Sequence, residues 1–486
     1  MLLLLLPLAV TCSSERQRRA SLPPAAAPPT LPLPGINAAF PVGEGSGGGG
    51  AGGSGPFVAY LGALPSLSAC TAAAVAWRNA SAPAAAQRCR SSSWLRAPAN
   101  ASFAGGCYCR TDARWLPVPS AGVDSDRLLW PCASAADCSH NGACGADGAC
   151  ACDAAWGGPA CAELRLLPVD AAAPGLRFAD ASGNVSTWGA PMLRDEATGR
   201  WHAWPSEMVN GCGINSWTSN SHIVHATAPA PGGPWARAEE VVPVFAHEPG
   251  VVRGPAGEWV MVFAGWALPP DAPRCTDCAD GQTLHHPGHN GCGANASHAF
   301  RTLLSVAQSP DGPWAPPVDI HGLDVPWDWN TAVTILPNRS AVAVLRALFT
   351  WHAGQYDAAA TWRPVGGSPQ GPPAPDANVE DPFIYRDRRG VFHAVVHAMD
   401  VAGDPRFCGG HAFSEDGSSW TYTGFAWSNA ANFTDGSWQV FSRRERPHVL
   451  FGADGVTPIA LSTGVEYGGG DAVFTLVQPI ATAAER

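Results

Sequence analysis

A recurring position at the start of strand-like segments is occupied mostly by residues that can carry a charge or donate a hydrogen bond. The set consists of Ala190, Glu248 with His247, Asn330, Asp381 with Glu380, and Arg446 with His448. If these segments lie side by side, carboxylates from distant parts of the chain converge. Glycoside hydrolysis needs two carboxyl groups, one protonated to assist the leaving oxygen and one ionised to activate water or attack the sugar. We therefore predict Glu248 and Asp381 as the catalytic pair.

The residues beside this pair have predicted supporting roles. Crowding two carboxylates raises the pKa of one of them and so creates an acid. Glu380 is the third catalytic candidate, and either Glu380 or His247 is expected to modulate the pair. A structural alternative is a salt bridge between Arg446 and Asp381 inside the channel, while Glu248 caps a backbone turn.

The predicted substrate-binding residues combine hydrogen-bonding groups with flat aromatic rings, and they are His247, Asn330, Arg446, Trp329 and Trp217. Arg446 would hold either a substrate or a carboxylate. The two tryptophans fall in rim loops, where an indole can stack on a sugar ring.

Repeated units must bring these residues together. Four tryptophans end four similar stretches, at His225–Trp235, Ser305–Trp314, Trp362 and His411–Trp420. A repeat of roughly 50 to 80 residues, rich in short alternating strands, predicts the blades of a propeller. Second strands are expected at Trp201–Trp204, Trp259–Phe263, Ala341–Leu345, Phe392–His397 and Thr457–Leu461, after turns near Gly199, Gly257, Asn338, Gly390 and Gly455.

Five blades that close into a ring remove the exposed strand edges that a flat array would leave unpaired. We predict an all-β fold with a five-bladed β-propeller over residues 164–482, preceded by small disulfide-rich modules. The inner strand of each blade would line the central channel. Because the last blade is short, Leu164–Val169 is expected to supply its outer strand and latch the ring.

Across roughly residues 170 to 480 the chain resembles the five-bladed propeller glycosidases of the family-43 arabinanase and xylosidase group. The resemblance rests on blade architecture and on the Glu380-Asp-Pro-Phe-Ile-Tyr-Arg-Asp-x-x-Gly390 and Ser-x-Asp-Gly-x-Trp units. It implies an Asp base in blade one, an Asp modulator in blade two and a Glu acid in blade three. Ala190, Glu248 and Asn330 stand at those points, so the family's own catalytic set is not reproduced.

Residues 132–161 contain the pattern Cys132-x5-Cys138-x5-Cys144-x5-Cys150-x-Cys152-x8-Cys161, which resembles the EGF-like family. A segment of about thirty residues has too little core to fold unaided and needs cross-links. The resemblance implies the pairs Cys132–Cys144, Cys138–Cys150 and Cys152–Cys161, and contact with an extracellular protein. Asp124 and Asp126 are poorly placed for the acidic pattern of calcium-binding members, so no calcium is expected.

The rest of the N-terminal part divides by composition. Residues 1–14 are expected to be a signal peptide, since Leu2–Val10 is an apolar run followed by small residues. Residues 15–55, rich in Ala, Pro and Gly, are expected to be disordered. Residues 56–131 hold Cys70, Cys89, Cys107 and Cys109 and distantly resemble a PAN/apple module, with a disulfide-held spacer as the alternative.

The composition predicts an extracellular protein. Sixteen cysteines favour an oxidising compartment. Six glycosylation sequons agree with a secreted glycoprotein, at Asn79, Asn100, Asn184, Asn295, Asn338 and Asn432. The formal charge of −11 offers no basic surface for nucleic acid. No later apolar run reaches the about 20 residues that span a bilayer, so no membrane span is expected in the mature chain.

One segment has metal-like content: Cys275-x2-Cys278-x6-His285-His286-x2-His289-x2-Cys292. A structural zinc site needs four such ligands in tetrahedral array. In a secreted loop, disulfides with exposed histidines are commoner. We therefore expect no metal and no cofactor.

These observations support three functional hypotheses. The leading one is a secreted glycan-active protein, a glycoside hydrolase acting on plant- or algal-type polysaccharide. The second is a non-catalytic extracellular carbohydrate-binding or adhesion protein whose propeller has lost its acid and base. The third is a purely structural wall component.

Overall fold

The computed structural model describes residues 132–180, 183–265, 301–323, 330–357, 361–365, 379–398, 407–467 and 473–485, and the backbone of five strands nearer the N terminus. Contacts divide the chain into a unit of residues 15–132 and a unit containing residues 133–486. The signal-peptide segment, the Cys275–Cys292 segment, Trp329, Asn79, Asn100 and Asn295 lie outside the described residues.

The N-terminal unit contains an antiparallel sheet in the order β1-β2-β4-β3-β5. Its strands are β1 (Phe40–Pro41), β2 (Phe57–Leu64), β3 (Ser91–Leu95), β4 (Gly105–Arg110) and β5 (Val123–Arg127). Strand β1 pairs with β2 although it lies in the segment expected to be disordered.

A small module follows, built from a 3-10 turn at Ala136–Cys138 and the strands β6 (Gly142–Cys144), β7 (Cys150–Cys152), β8 (Trp156–Gly157) and β9 (Glu163–Leu164). The disulfides Cys138–Cys150 and Cys152–Cys161 are formed, as the EGF-like resemblance implies. Cys132 and Cys144 are also disulfide-bonded. Because so short a chain buries little apolar surface, these bridges hold the module together.

Five antiparallel sheets form the propeller, which confirms the predicted fold. Before the first blade lie β10 (Gly175–Leu176), β11 (Phe178–Asp180) and β12 (Gly183–Val185). Blade one contains β13 (Thr187–Trp188), β14 (Met192–Arg194), β15 (Trp201–Ala203), β16 (Ser206–Met208), β17 (Ser221–Ala228) and β18 (Ala236–Val242). Blade two contains β19 (Ala246–Arg253), β20 (Trp259–Gly265), β21 (Arg301–Ala307) and β22 (Val318–Asp319).

The remaining blades follow the same plan. Blade three contains β23 (Ala332–Ile335), β24 (Ala341–Val344), β25 (Thr350–Ala353) and β26 (Arg363–Pro364). Blade four contains β27 (Val379–Arg386), β28 (Phe392–Ala398), β29 (Phe407–Ser414) and β30 (Thr421–Ser428). A hairpin of β31 (Ala430–Asn432) and β32 (Trp438–Val440) leads to blade five, which contains β33 (Arg443–Phe451), β34 (Pro458–Glu466) and β35 (Val473–Pro479).

Helix is scarce in the described residues. The helix α1 (Trp217–Asn220) lies between β16 and β17, and 3-10 turns occur at Val209–Gly211, Ile214–Ser216, Arg346–Leu348 and Ala483–Glu485. None of the helices in the described part of the chain has the length and apolarity to cross a bilayer.

The ring is closed by a strand from before blade one, but not the one predicted. Strand β10 pairs with β35 and becomes the outer strand of blade five. In the predicted segment Leu164–Val169, Leu164 belongs to β9, which pairs with β8, and isolated bridges join Leu166 to Ile480 and Val169 to Phe433. The pairing of β10 with β35 depends on Gly175. This residue has φ +135°, and a Cβ there would collide with the Thr475 carbonyl oxygen. Only a glycine lets the latch strand approach this closely.

The apolar core lies between neighbouring blades. The repeated tryptophans belong to four of these interfaces, and they are Trp235, Trp314, Trp362 and Trp420. Between blades one and two the rings of Trp204 and Trp259 are 5.5 Å apart. Between blades four and five Phe383 and Phe451 are 6.4 Å apart. The repeated tryptophan therefore stabilises the blade interfaces.

Strand starts agree closely with the sequence prediction. The second strand begins at the predicted residue in blades one to four and one residue later in blade five. The turn before it contains a left-handed glycine in four blades, at Gly199, Gly257, Gly390 and Gly455. In blade three Arg339, rather than the predicted Asn338, has the positive φ of 70°.

The small module packs on the outer side of blade four. His140 Nε2 lies 2.9 Å from Glu415 Oε1, and the rings of Trp156 and His411 are 4.7 Å apart. A salt bridge joins Arg389 to Asp153. The module and the propeller therefore belong to one compact unit.

Candidate functional site

Each blade places one residue in the left-handed backbone region at the start of its inner strand. These residues, which we call the hub ring, are Gly189 (φ 48°), Glu248 (58°), Asn330 (51°), Asp381 (52°) and Arg446 (53°). In blades two, four and five the pairing to the second strand shifts at this point, as in a β-bulge. A bulge turns a side chain out of the pleat, and strained backbone of this kind clusters at functional sites.

Blade one contributes Gly189 to the hub ring, not Ala190 as the sequence predicted. Ala190 is fully buried in the interface between blades five and one, and its carbonyl oxygen accepts a hydrogen bond from Ser462 Oγ at 2.8 Å. A Cβ on Gly189 would collide with the Arg446 side chain. Glycine therefore gives Arg446 the room to lie across the ring.

Arg446 connects the two predicted catalytic carboxylates. Its Nη1 lies 3.1 Å from Glu248 Oε2 and 3.2 Å from Asp381 Oδ1. Its backbone N–H donates to Asp381 Oδ2 at 3.1 Å. The exposed fractions of Glu248, Asp381 and Arg446 are 8%, 4% and 5%. The three residues therefore meet as predicted, and the Arg446–Asp381 salt bridge of the structural alternative is present, although Glu248 binds Arg446 where that alternative had it capping a backbone turn.

One guanidinium nitrogen binds both members of the predicted catalytic pair. Glycosidase carboxyl groups stand roughly 5 to 9.5 Å apart across a space that admits the sugar or a water. Here both carboxylates bind the same nitrogen, so the two bound oxygens are no farther apart than the sum of two salt-bridge lengths, a bound that overlaps this range. What distinguishes the pair is therefore its shared cation: Glu248, Arg446 and Asp381 are buried and joined as an ion pair.

The blade-two side of the hub ring is also hydrogen-bonded. Asn330 Nδ2 donates to Glu248 Oε2 at 2.8 Å, and the Glu248 N–H donates to Ser206 Oγ at 3.0 Å. Ser221 Oγ lies 2.6 Å from His247 Nδ1. Burial, with the nearby arginine charges, lowers the pKa of His247 well below its usual value, so its imidazole is neutral. Sequence analysis did not identify Ser206 and Ser221, because they lie on β16 and β17 of blade one and not on an inner strand.

Trp217 lies beside this group. Its ring stacks on His247 with centroids 5.0 Å apart and planes at 28°. The indole is partly exposed. It is held in helix α1, before β17. Trp217 is thus adjacent to the predicted substrate-binding histidine, and Trp329 lies outside the described residues.

A second layer is formed by the residue that precedes each hub-ring member. Glu380 and Glu445 occupy this position in blades four and five, as His247 does in blade two. Glu445 is 3% exposed and binds Arg443 through two hydrogen bonds of 2.9 and 3.0 Å. Sequence analysis chose His448 instead, which lies at the interface of blades four and five with its ring 5.5 Å from Phe383.

Glu380 lies between two cationic groups. His397 Nδ1 is 3.0 Å from one carboxylate oxygen, and Arg346 Nη2 is 3.1 Å from the other. Burial raises the pKa of Glu380, and the hydrogen bond from His397 offsets this only in part. Burial lowers the pKa of His397, but the carboxylates of Glu445, Glu380 and Asp381 outweigh it and raise that pKa to about 9. His397 is therefore a cation at neutral pH.

The hub could hold a cation only in competition with its own arginines. Ligand atoms of Glu380, Asp381, His397 and Glu445 lie within 4.8 Å of one another. Arg346, Arg443 and Arg446 already bind three of these carboxylates. This donor set is neutralised by protein charges and fits ion pairing better than metal binding.

The sequons divide by location. Asn338 and Asn432 are exposed, as glycosylation requires. The side chain of Asn184 lies outside the described residues. Glycosylation at all six remains a prediction.

No protein family and no curated protein matches the sequence. Among solved structures, a protein of unknown function from Dyadobacter fermentans is similar at 14% identity, over 63% of this chain and 97% of that one, with a TM-score of 0.42. The catalytic domain of a GH62 α-L-arabinofuranosidase from Coprinopsis cinerea is similar at 10% identity, over 66% and 96%, with a TM-score of 0.41. A family 117 glycoside hydrolase from Zobellia galactanivorans is similar at 10% identity, over 66% and 90%, with a TM-score of 0.41. These similarities concern the propeller fold.

Proposed function

We propose that this protein is an extracellular carbohydrate-binding protein with a glycosidase-type propeller whose hub holds the ring together instead of hydrolysing a glycosidic bond. The observation that carries this proposal is the position of Arg446 Nη1 between Glu248 and Asp381. Plant- or algal-type polysaccharide is the ligand class, by the likeness of the sequence to family-43 propellers.

The energetics favour a structural role for the hub. Removing one partner of a buried ion pair costs about 3–5 kcal/mol, because the other charge stays buried and uncompensated. A substrate that displaced Arg446 would meet this cost at two carboxylates. Catalysis would therefore begin by breaking the contacts that join blades two, four and five.

Sugar binding is supported by Trp217 of blade one, which lies beside the hub. Its indole is partly exposed, and its ring stacks on His247. An exposed aromatic face is a usual means of binding a sugar ring. His247 and Asn330 are 2% and 6% exposed and bind Ser221 and Glu248, so they hold the hub beneath the indole. A saccharide stacked on Trp217 leaves the Arg446 salt bridges in place.

Disulfides and exposed sequons support an extracellular location. Cys138–Cys150 and Cys152–Cys161 would not persist in a reducing cytosol. The EGF-like module is proposed to contact an extracellular protein. It would do so with the surface that is not packed on blade four.

One observation favours hydrolysis as a second candidate function. Burial raises the pKa of Glu380, which is the property of a general acid. Asp381 is its neighbour in the chain, and ligand oxygens of the two lie within 4.8 Å of each other, slightly closer than the roughly 5 Å of retaining glycosidases. In this scheme Glu380 protonates the leaving oxygen and Asp381 is the second carboxylate.

A glycan array combined with a polysaccharide-hydrolysis screen tests both functions. The purified full chain is expected to bind a subset of plant or algal glycans and to release no reducing sugar. Trp217→Ala should weaken binding at least about tenfold, while Trp438→Ala, which removes an indole 67% exposed on the β31–β32 hairpin, should leave it unchanged. Hydrolysis that is lost in Glu380→Gln and Asp381→Asn would replace the binding proposal with the catalytic one. Absence of both binding and hydrolysis would refute both.

A further inference from the structure

Blade one contains a pair of buried histidines far from the hub residues discussed above. His202 is on β15 and His225 on β17, and their exposed fractions are 2% and 0%. His202 Nδ1 lies 2.9 Å from His225 Nε2, and the rings stack with centroids 5.1 Å apart. Two imidazole nitrogens therefore converge on one point inside the blade.

Two carboxylates lie close to the ring nitrogens of this pair. Glu239 Oε1 lies 2.9 Å from His225 Nδ1. Asp311 comes from the Ser-Pro-Asp-Gly turn of blade two, and its Oδ1 lies 3.8 Å from His202 Nδ1 and 4.0 Å from His225 Nε2. The Asp311 side chain is 69% exposed, so the site is reached from solvent on that side.

We propose that His202 Nδ1, His225 Nε2 and Asp311 form a binding site for a divalent transition metal such as Zn²⁺. Imidazole nitrogen and carboxylate oxygen are standard ligands of zinc, and three protein ligands leave a fourth position for water. Glu239 accepts the Nδ1 proton of His225, which leaves the Nε2 lone pair directed at the metal. This carboxylate–histidine arrangement orients metal ligands in many proteins.

The geometry needs only a small adjustment. Nitrogens bound to one tetrahedral zinc at about 2.0–2.1 Å lie roughly 3.3 Å apart, a few tenths of an ångström more than in this pair. Asp311 must approach the metal, and its exposed side chain has room to do so. His202 must move its proton from Nδ1 to Nε2, so the neutral ring binds the metal without losing a proton.

Two indoles lie against the histidine pair. The ring of Trp204 stacks beside His225 at 5.5 Å, and the ring of Trp259 lies 6.0 Å from that of His202. These indoles restrict water around the pair.

Blade four provides an internal contrast. His393 on β28 and His411 on β29 repeat the pair, with Nδ1 and Nε2 3.1 Å apart. The group that approaches His411 Nε2 there is the amide of Asn141, at 3.4 Å. Asp387 lies near the opposite nitrogen of His393, at 3.6 Å from Nε2. Blade four thus repeats the two nitrogens, with an amide in the place of Asp311 and with Thr423 Oγ1, 2.7 Å from His411 Nδ1, in the place of Glu239.

Zinc titration of the metal-free full chain by calorimetry, with stoichiometry checked by equilibrium dialysis, tests the proposal. The parent is expected to bind one equivalent more than His202→Gln, and His393→Gln, the matched change in blade four, should bind as many equivalents as the parent. Zinc held by other residues, such as His285, His286 and His289, would be equal in all three proteins. Equal stoichiometry in the parent and His202→Gln would overturn the site.

Asp311→Asn keeps the test valid if His202→Gln fails to fold. Because Asp311 is on the surface, this variant should retain the parent's circular dichroism and bind zinc at least about tenfold more weakly. A fully folded Asp311→Asn protein with unchanged zinc affinity would refute the assignment.

Discussion

The hub and the His202–His225 pair of blade one both place carboxylates beside buried histidines, but the two groups differ in charge. At the hub, Glu248, Asp381 and Arg446 form direct ion pairs, and His397 is cationic beside Glu380. In blade one, burial keeps His202 neutral. Paired charges serve to hold strands together, whereas neutral imidazoles beside an exposed carboxylate leave lone pairs for a ligand.

The largest expected effect comes from breaking the hub. Arg446→Met leaves Glu248 and Asp381 buried without their cation, and the free energy of unfolding should fall by about 3–5 kcal/mol. Urea denaturation measures this change. Arg339→Met is the control. The Arg339 side chain is 42% exposed and its ion pair with Glu258 is long, at 3.9 Å, so this substitution should change the free energy of unfolding by about 0.5 kcal/mol or less. An Arg446→Met protein as stable as the parent would show that the hub is open, as a catalytic channel requires.

The second effect is a pH dependence of the free energy of unfolding. Two buried histidines, His397 and His448, contribute to it with opposite signs. The pKa of His397 is raised from 6.5 to about 9 in the folded protein, so its stabilisation is complete below about pH 6.5 and is lost as pH rises through 9. The pKa of His448 is lowered to about 3, mainly by burial, so its stabilisation is present above pH 6.5 and is lost as pH falls towards 3. The limb amounts to about 3 kcal/mol at most for His397 and to about 5 kcal/mol at most for His448.

Unfolding curves between pH 4 and 10 separate the two limbs. His397→Gln should flatten the alkaline limb, and His448→Phe should flatten the acid limb while keeping an aromatic ring against Phe383. If the alkaline limb were unchanged in His397→Gln, the cationic description of the hub histidine would be wrong.

The third effect concerns the proposed metal site in blade one. Glu239→Gln removes the carboxylate that orients His225 and should weaken zinc binding about 10- to 100-fold. Glu240→Gln is the matched control, because Glu240 makes the same contact, at 2.6 Å, with His222, which is not a proposed ligand. Equal losses in the two variants, measured by zinc titration, would point to general acidity of the surface and not to orientation of His225.

The fold could be predicted from the sequence because it depends on local signals. Glycine turns and repeated tryptophans mark the blades, and both are short-range patterns. The convergence of Glu248, Asp381 and Arg446 followed from the same repeat, since equivalent positions in a closed ring must meet. The repeat also explains why Glu380 and His247 were identified together with them.

What could not be predicted depends on exact backbone geometry and on neighbouring blades. Gly189, and not the predicted Ala190, belongs to the hub ring because Gly189 has the left-handed backbone conformation of the other members. The sequence does not reveal that conformation. Glu445 was missed because His448 was chosen as the partner of Arg446, although Glu445 precedes its ring residue as Glu380 and His247 do. The His202, His225 and Asp311 group joins residues of two blades, and no short motif in the sequence connects them.

The smallest effect is a gain of function that would transfer the blade-one arrangement to blade four. Asn141→Asp places a carboxylate beside the His393 and His411 pair, where the amide now lies 3.4 Å from His411 Nε2. The variant should gain weak zinc binding, because it acquires a third ligand. It also loses the hydrogen bond that Asn141 Nδ2 donates to the Cys161 carbonyl oxygen, at a cost of about 1 kcal/mol in stability.

Asn141→Ser is the control for this gain, since it removes the amide without adding a carboxylate. Zinc titration in the His202→Gln background isolates the new site from the one in blade one. Binding gained by Asn141→Asp but not by Asn141→Ser would show that a third ligand is sufficient for zinc binding at such a pair. If neither variant gained zinc, the group on the other nitrogen would be the next difference to test, since His411 Nδ1 faces Thr423 Oγ1 where His225 Nδ1 faces Glu239.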